Sequence, residues 1–252
     1  MNTTATNLST VFVSDLHLQG ASDPKTKAFL SFLDGRRGSI SRLVIGGDLF
    51  DFWAGTNQVA ISQYKSVLDK LKEFATDGVQ IDYIEGNHDF YLGQYFRQTL
   101  PVNVIHDHTE MQIGNFHVYV AHGDQVNPKD HGYLFLRWFL RTPFTKFLLE
   151  VLPDRWVWKL SGTFSHVSRN YRNVPQSTIE LFRNFARQKL ETSPYDVVVL
   201  GHTHFPDQQI FHTQGQKKYY FNTGDWISHF TYLEHKSGVF SLKKFAFDTP
   251  LT

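Results

Sequence analysis

Short apolar runs separated by polar turns recur along the chain, at 10–14, 42–46, 79–84, 116–121, 196–200, 218–222 and 239–245. Each has the length and the β-branched or aromatic content of a buried strand. Between several of them the apolar spacing shifts to the helical period. Residues 25–33 place Phe29, Leu30 and Leu33 on one side, and 58–74 place Ile61, Tyr64, Leu68, Leu71 and Phe74 on one side. Residues 177–190 do the same with Leu181, Phe185 and Leu190, and Pro175 lies just before them. Strands and helices alternate in the first third and strands dominate the last, which predicts a mixed α/β sandwich rather than a purely parallel sheet.

One stretch departs from this pattern. Residues 126–175 carry eight basic side chains (Lys129, Arg137, Arg141, Lys146, Arg155, Lys159, Arg169, Arg172) against three acids (Asp130, Glu150, Asp154), and hold three of the five tryptophans, Trp138, Trp156 and Trp158. Pro143 and Pro153 divide it into short helices. The segment has a net charge of +5 within a chain of +1, leaving about −4 for the rest. It reads as an inserted helical cap, 126–175, within a single domain spanning 1–252.

Composition narrows the chemistry. With 41% hydrophobic residues and 23 Phe in 252 positions, the chain has ample material for a core. Twenty-five basic and 24 acidic side chains do not suit a protein built to coat nucleic acid, so no nucleic-acid partner is expected. There is no Cys, so a metal site must use imidazole nitrogen and carboxylate or amide oxygen. The segment MNTTATNLSTVFV lacks a basic stretch followed by an apolar one, and no apolar run nears the roughly 18 residues that span a bilayer. The default location is the cytoplasm, with contact at a membrane face left open.

Five polar motifs each follow a predicted strand: Ser14-Asp15-Leu16-His17, Gly46-Gly47-Asp48, Gly86-Asn87-His88-Asp89, His122-Gly123-Asp124 and Gly201-His202-Thr203-His204. Strand carboxyl ends of an α/β sheet converge on one rim, so five turns can supply a single cleft. In an extended segment residues i and i+2 point the same way, so Asp15 with His17, and His202 with His204, could each offer two ligands. The glycines Gly46, Gly47, Gly86, Gly123 and Gly201 permit positive φ and close backbone approach. Asp48 could bridge two ions and Asn87 offers a neutral oxygen. This mixed N/O set suits Mn²⁺, with Fe²⁺ or Zn²⁺ as alternatives, better than Mg²⁺. Two ions about 3.5–4 Å apart are the usual arrangement for phosphoester hydrolysis. His88 could donate to the phosphate or leaving oxygen, oriented by Asp89. Any one motif alone is more often a turn; the five together point to chemistry. Asp51 and Asp124 read equally as partners of the ligands or as turn residues, Trp53 as a cleft wall or a core residue, and the remaining histidines as surface or turn groups.

This order resembles the calcineurin-like metallophosphoesterase superfamily, including Phe221-Asn222-Thr223-Gly224, which is similar to its strand-end N-x-G segment. The resemblance implies an α/β/β/α sandwich of two mixed sheets carrying the cap. It implies one metal held by Asp15, His17, Asp48 and His204, another held by Asp48, Asn87, His122 and His202, and a catalytic role for His88 beside Asn87 and Asp89.

A narrower resemblance, to the UDP-2,3-diacylglucosamine diphosphatases of lipid A synthesis, rests on three features: Asp15-Leu-His-Leu, Gly47-Asp-Leu-Phe-Asp-Phe-Trp53, and the stretch from His122-Gly-Asp through Asp130, Tyr133 and Arg137 to Leu152-Pro153. It implies cleavage of a UDP-linked acylated glucosamine to lipid X and UMP by a protein peripheral to the inner membrane face. It also implies substrate contacts from Asn87, His88, Asp130, Tyr133, Ser168, Arg169 and Arg172. Leu134, Trp138, Phe144, Phe147, Leu148 and Trp156 could line an acyl pocket or simply pack the cap helices, and arginines could meet a diphosphate or anionic headgroups. That family carries Arg after the Asn; this chain carries His88, the state found in many phosphodiesterases. Another phosphodiesterase or a protein phosphatase is therefore the alternative, although a cap would obstruct a broad protein-binding groove. A non-catalytic scaffold of the same fold, such as a retromer subunit, typically loses ligands, and every ligand position here is filled.

Overall fold

The computed structural model describes residues 8–159, 174–213 and 215–247. One sheet runs in the order Val239–Lys244 (β13), Thr231–Lys236 (β12), Ser9–Val13 (β1), Ile40–Ile45 (β2), Gln80–Ile84 (β4), Val102–Ile105 (β6). The second runs Asp207–Thr213 (β10), Gln216–Asn222 (β11), Val197–Leu200 (β9), Phe116–Ala121 (β8), His108–Ile113 (β7). Both are mixed: β1, β2, β4 and β6 are parallel, as are β8, β9 and β11, with antiparallel strands added outside them. Two short strands, Trp53–Ala54 (β3) and Asp89–Phe90 (β5), pair in parallel apart from both sheets.

The continuous apolar runs have a simple cause, since the central strands are buried on both faces. In β1 and β2, Val11, Val13, Leu43 and Ile45 join the core under the helices, while Phe12 and Val44 turn to the core between the sheets. In β8 and β9, Val118, Val120, Val197 and Val199 meet Phe12 and Val44 between the sheets, and Tyr119, Ala121, Val198 and Leu200 face outward. Helices α1 (Pro24–Asp34), α2 (Gln58–Gln63), α3 (Lys65–Thr76) and α4 (Gly93–Thr99) cover the first sheet through residues such as Phe29, Phe32, Leu71 and Phe96. A long helix, Gln176–Thr192, covers the second through Phe182, Ala186 and Leu190. The result is an α/β/β/α sandwich.

Two local readings need correction, and one left open between two roles is decided. The helix expected over 58–74 is broken at Tyr64, whose φ of −100° leaves the helical region; its ring packs 4.4 Å from Phe50, in a cluster with Trp53. Trp53 is fully buried there, so it belongs to the core rather than the cleft wall. Strands β6, β7, β10 and β12 lack long apolar runs and were not legible. β7 and β10 are sheet edges, and the burial of β7 is confined to alternate residues, Met111 and Ile113. β12 buries Glu234, which is paired with Arg36 and Lys243.

The stretch after β8 forms α5 (His131–Leu140), α6 (Pro143–Val151) and a helical segment at 154–159. It docks on the rim: Tyr91 Oη donates to the Thr142 carbonyl at 2.9 Å, Asn57 Nδ2 donates to the Asp154 carbonyl at 3.0 Å, and Trp158 packs on Tyr64. Trp138, Phe144, Phe147 and Trp156 are 58–68% exposed, so these aromatics are not the packing core of the cap helices. Ser168, Arg169 and Arg172 lie outside the described residues.

Candidate active site

The five motif turns leave β1, β2, β4, β8 and β9 at their carboxyl ends and are laced to one another. The backbone N–H of His17 donates to the Asp48 carbonyl at 3.0 Å, and that of Gly201 to the His122 carbonyl at 2.9 Å. The N–H of His202 donates to the Asp15 carboxylate at 2.9 Å and bridges the two sheets.

Seven side chains meet there in two groups sharing Asp48. In the first, Asp15, His17 and His204 bring ligand atoms within 4.8 Å of one another. His204 Nε2 lies 3.5 Å from Asp15 Oδ1, and His17 Nε2 lies 3.7 Å from Asp48 Oδ2. In the second, Asn87 Oδ1 is 3.0 Å from both His122 Nε2 and His202 Nδ1, those two nitrogens are 3.2 Å apart, and His122 Nε2 is 3.5 Å from Asp48 Oδ2. Asp15 Oδ1 is buried without a hydrogen-bond partner, a costly state that a cation would relieve. The outer nitrogens are already engaged. His122 Nδ1–H donates to the Gly46 carbonyl at 2.8 Å and His204 Nδ1 faces Asp225 at 3.5 Å, so their Nε2 atoms point inward as metal-ligating imidazoles usually do. The donor set therefore fits two divalent ions.

The local geometry differs from the extended pairs expected. Asp15, His17, Asp48, His202 and His204 all have positive φ, between 45° and 67°. Left-handed backbone is uncommon outside Gly, though Asp and His tolerate it better than most residues, and it stores of order 1–3 kcal/mol per residue. Each turn thus aims its ligand by a sharp bend, which is why His202 and His204 serve different groups. Of the five flanking glycines only Gly47 and Gly123 use positive φ. Gly86 is required by proximity instead: a Cβ there would lie 2.1 Å from Asp48 Oδ1.

Burial and charge set the protonation of the metal-free cluster. Burial pushes the imidazoles of His17 well below their usual range and His202 down to about 4, keeping both neutral. Burial would also depress His122, but Asp48 above all, with Asp15 and Asp124, lifts it to about 10. His122 is then protonated at neutral pH and must lose that proton to become a ligand. Loading is expected to release a proton near pH 7.5, with affinity rising up to about tenfold per pH unit below that pKa. Calorimetry in buffers of different ionisation enthalpy reads this directly; identical heats in all of them would contradict it.

Asp89 does not orient His88. It accepts from the backbone N–H of Asp48, Leu49 and Gly86 and from Tyr83 Oη, and so fixes two ligand-bearing turns to each other. Burial, with Asp48 nearby, raises it to about 7. His88 is oriented by the Asp51 carbonyl, which accepts from its Nδ1–H at 2.9 Å. Its ring stands edge-on to His17 at 4.7 Å, and it forms a close group with His17 and Asp48. Asp130 caps α5 by accepting from the Tyr133 N–H at 3.0 Å. Tyr133 Oη donates to Asp124 at 2.7 Å, and its ring stands 6.2 Å from that of His202. Asp124 also takes Arg137 Nε at 2.6 Å, so it ties the cap to the His122 turn.

Further side chains brace the turns. Ser14 donates to Asp15 Oδ2 and contacts Thr223. Asp225 faces His204 and is held by the His229 side chain at 3.1 Å. Arg141 donates to the Gly86 carbonyl at 2.8 Å. Asn222, within the N-x-G segment, donates to the Gly201 carbonyl at 2.8 Å.

The chain is similar to several known proteins. The chain is 30% identical over 220 residues to the UDP-2,3-diacylglucosamine hydrolase of Pseudomonas paraeruginosa, covering 87% of this chain and 91% of that one. It is 31% identical over 242 residues to the enzyme of the same name from Pseudomonas fluorescens, covering 96% and 97%. Among solved structures, the E. coli phosphoesterase Yfce aligns over 94% of this chain and 93% of its own, with 18% identity and a TM-score of 0.49. The description "Calcineurin-like phosphoesterase" matches residues 8–206. The chain belongs to that family and is a metal-dependent phosphoester hydrolase.

Proposed function

We propose that the protein cleaves the diphosphate of a UDP-linked diacylated glucosamine, releasing UMP and the acylated sugar phosphate, while resting on the inner membrane face. One ion would be held by Asp15, His17, Asp48 and His204, and the other by Asp48, Asn87, His122 and His202. Two such ions, Mn²⁺ by the donor set with Fe²⁺ or Zn²⁺ as alternatives, supply Lewis-acid neutralisation of the phosphate and a water acidic enough to attack near neutral pH. Asn87 and His88 hold the phosphate between the ions and the cap. Because the Asp51 carbonyl can only accept, His88 Nδ1 carries a proton. Nε2 can therefore donate to a phosphate or leaving oxygen only as the imidazolium.

The observation that carries the substrate reading is the run of exposed aromatics on a basic helical segment seated beside the metal turns. Trp138, Phe144, Phe147 and Trp156 suit acyl chains and an interface, and the basic side chains of 126–175 suit anionic headgroups. Among the described residues no helix is long and apolar enough to cross a membrane. The inserted cap, 126–175, is on this reading a substrate-covering element of one domain.

The test presents UDP-2,3-diacylglucosamine in anionic vesicles with Mn²⁺ and follows UMP release and co-sedimentation. UMP release together with salt-sensitive co-sedimentation is expected. Turnover of simple phosphodiesters with no UMP released would move the substrate to another nucleotide- or lipid-linked phosphate.

A further inference from the structure

Among the described residues, three cationic side chains hydrogen-bond onto the metal-bearing turns, and two of them are engaged by carboxylates. Lys25 Nζ donates to the His17 carbonyl at 2.5 Å and lies 3.8 Å from Asp23. Arg137 is shared between Asp124 and Asp107, both at 2.6 Å. Arg141, at the end of α5, is different. Its Nη2 donates to the Gly86 carbonyl, one residue from Asn87, and its guanidinium stands 5.6 Å over the Phe90 ring. Its Nε is buried with no hydrogen-bond partner, and among the described residues no carboxylate lies within ion-pair distance of it, although Asp107 is near enough to feel its charge. A guanidinium has five N–H donors in a rigid fork. One is used here and Nε is shut away from solvent, which leaves donors on Nη1 and Nη2 that no acceptor among the described residues takes up.

We propose that Arg141 is a substrate-binding residue that takes the second phosphate of a diphosphate, the one adjacent to the phosphate under attack. The inference rests on the reading that Asn87 and His88 hold the attacked phosphate. A substrate with two linked phosphates then places the second within a few ångströms of this turn, where it needs a cation that is not already neutralised. Anchored by Gly86 at one corner and by Phe90 on one face, the fork presents its free edge with little conformational freedom left to lose, the geometry in which arginine binds phosphate bidentately. Arg137 is denied this role by its two carboxylates.

The experiment measures inhibition of bis(p-nitrophenyl) phosphate hydrolysis by UDP-N-acetylglucosamine, which has two phosphates, and by UMP, which has one. Arg141→Ala is expected to weaken inhibition by UDP-N-acetylglucosamine about 10- to 100-fold. The losses in UMP inhibition, in KM for the model diester and in metal content should each be several-fold smaller than that loss. Arg141→Gln, which keeps a donor for the Gly86 carbonyl but no charge, is expected to show the same selective loss; wild-type inhibition in that variant overturns the proposal. Equal losses for both inhibitors and the diester also overturn it, because Arg141 would then only brace the turn. If the wild type releases no UMP from UDP-2,3-diacylglucosamine yet the selective loss appears, the lipid substrate falls and the role of Arg141 stands.

Discussion

Replacing Asp48 by Asn is expected to lower kcat/KM by about 10⁴-fold or more, equivalent to about 5.5 kcal/mol of transition-state stabilisation. Asp48 stands between the two candidate ligand groups: its Oδ2 lies 3.7 Å from His17 Nε2 and 3.5 Å from His122 Nε2. Asparagine keeps the shape and the oxygen that accepts the His88 N–H at 2.9 Å, so the turn should persist. What it loses is the negative charge that two cations would share. Metal content should fall from about two ions per chain toward one or fewer, measured by elemental analysis beside turnover. Burial works against ionising Asp48, yet the His122 imidazolium beside it holds it well below the usual carboxylate range, so the charge is present in the native protein. Unchanged turnover in this variant would remove the basis for a shared ligand.

The second large effect separates catalysis from metal binding. His88→Ala should reduce kcat by about 10²–10⁴-fold, the span typical for loss of a positioned general acid, while both ions are retained. Retention is the informative half, because His88 lies close enough to His17 and Asp48 to be mistaken for a ligand. Loss of one ion per chain in the alanine variant would make His88 a ligand and leave the donor role without support.

Much of the candidate site is legible in the sequence because its chemistry sits in short motifs at strand ends. Strands buried on both faces announce themselves as apolar runs, and the polar residues that interrupt them stand out. The ligands converge because β1, β2, β4, β8 and β9 end on one rim. Their aim was less legible. The i, i+2 argument presumed extended backbone, whereas Asp15, His17, His202 and His204 are turned by positive φ. Partners remote in sequence were hidden for a related reason. Nothing in the residues around Asp89 says that its acceptors will hold the Asp48 and Gly86 turns rather than His88, because that depends on how two loops pack. Asp225 and Arg141 likewise act through contacts 21 and 55 residues away in the chain. Edge strands such as β10, exposed on alternate residues, carry too little apolar signal to separate from loops.

The most direct test of the central claim is anomalous diffraction at the manganese edge from crystals grown with Mn²⁺. Two peaks roughly 3.5–4 Å apart, one on either side of the Asp48 carboxylate, with Asp15 and His204 around one and Asn87 and His202 around the other, are the predicted result. A single peak, or manganese bound only away from these turns, would contradict a paired centre built by these seven side chains.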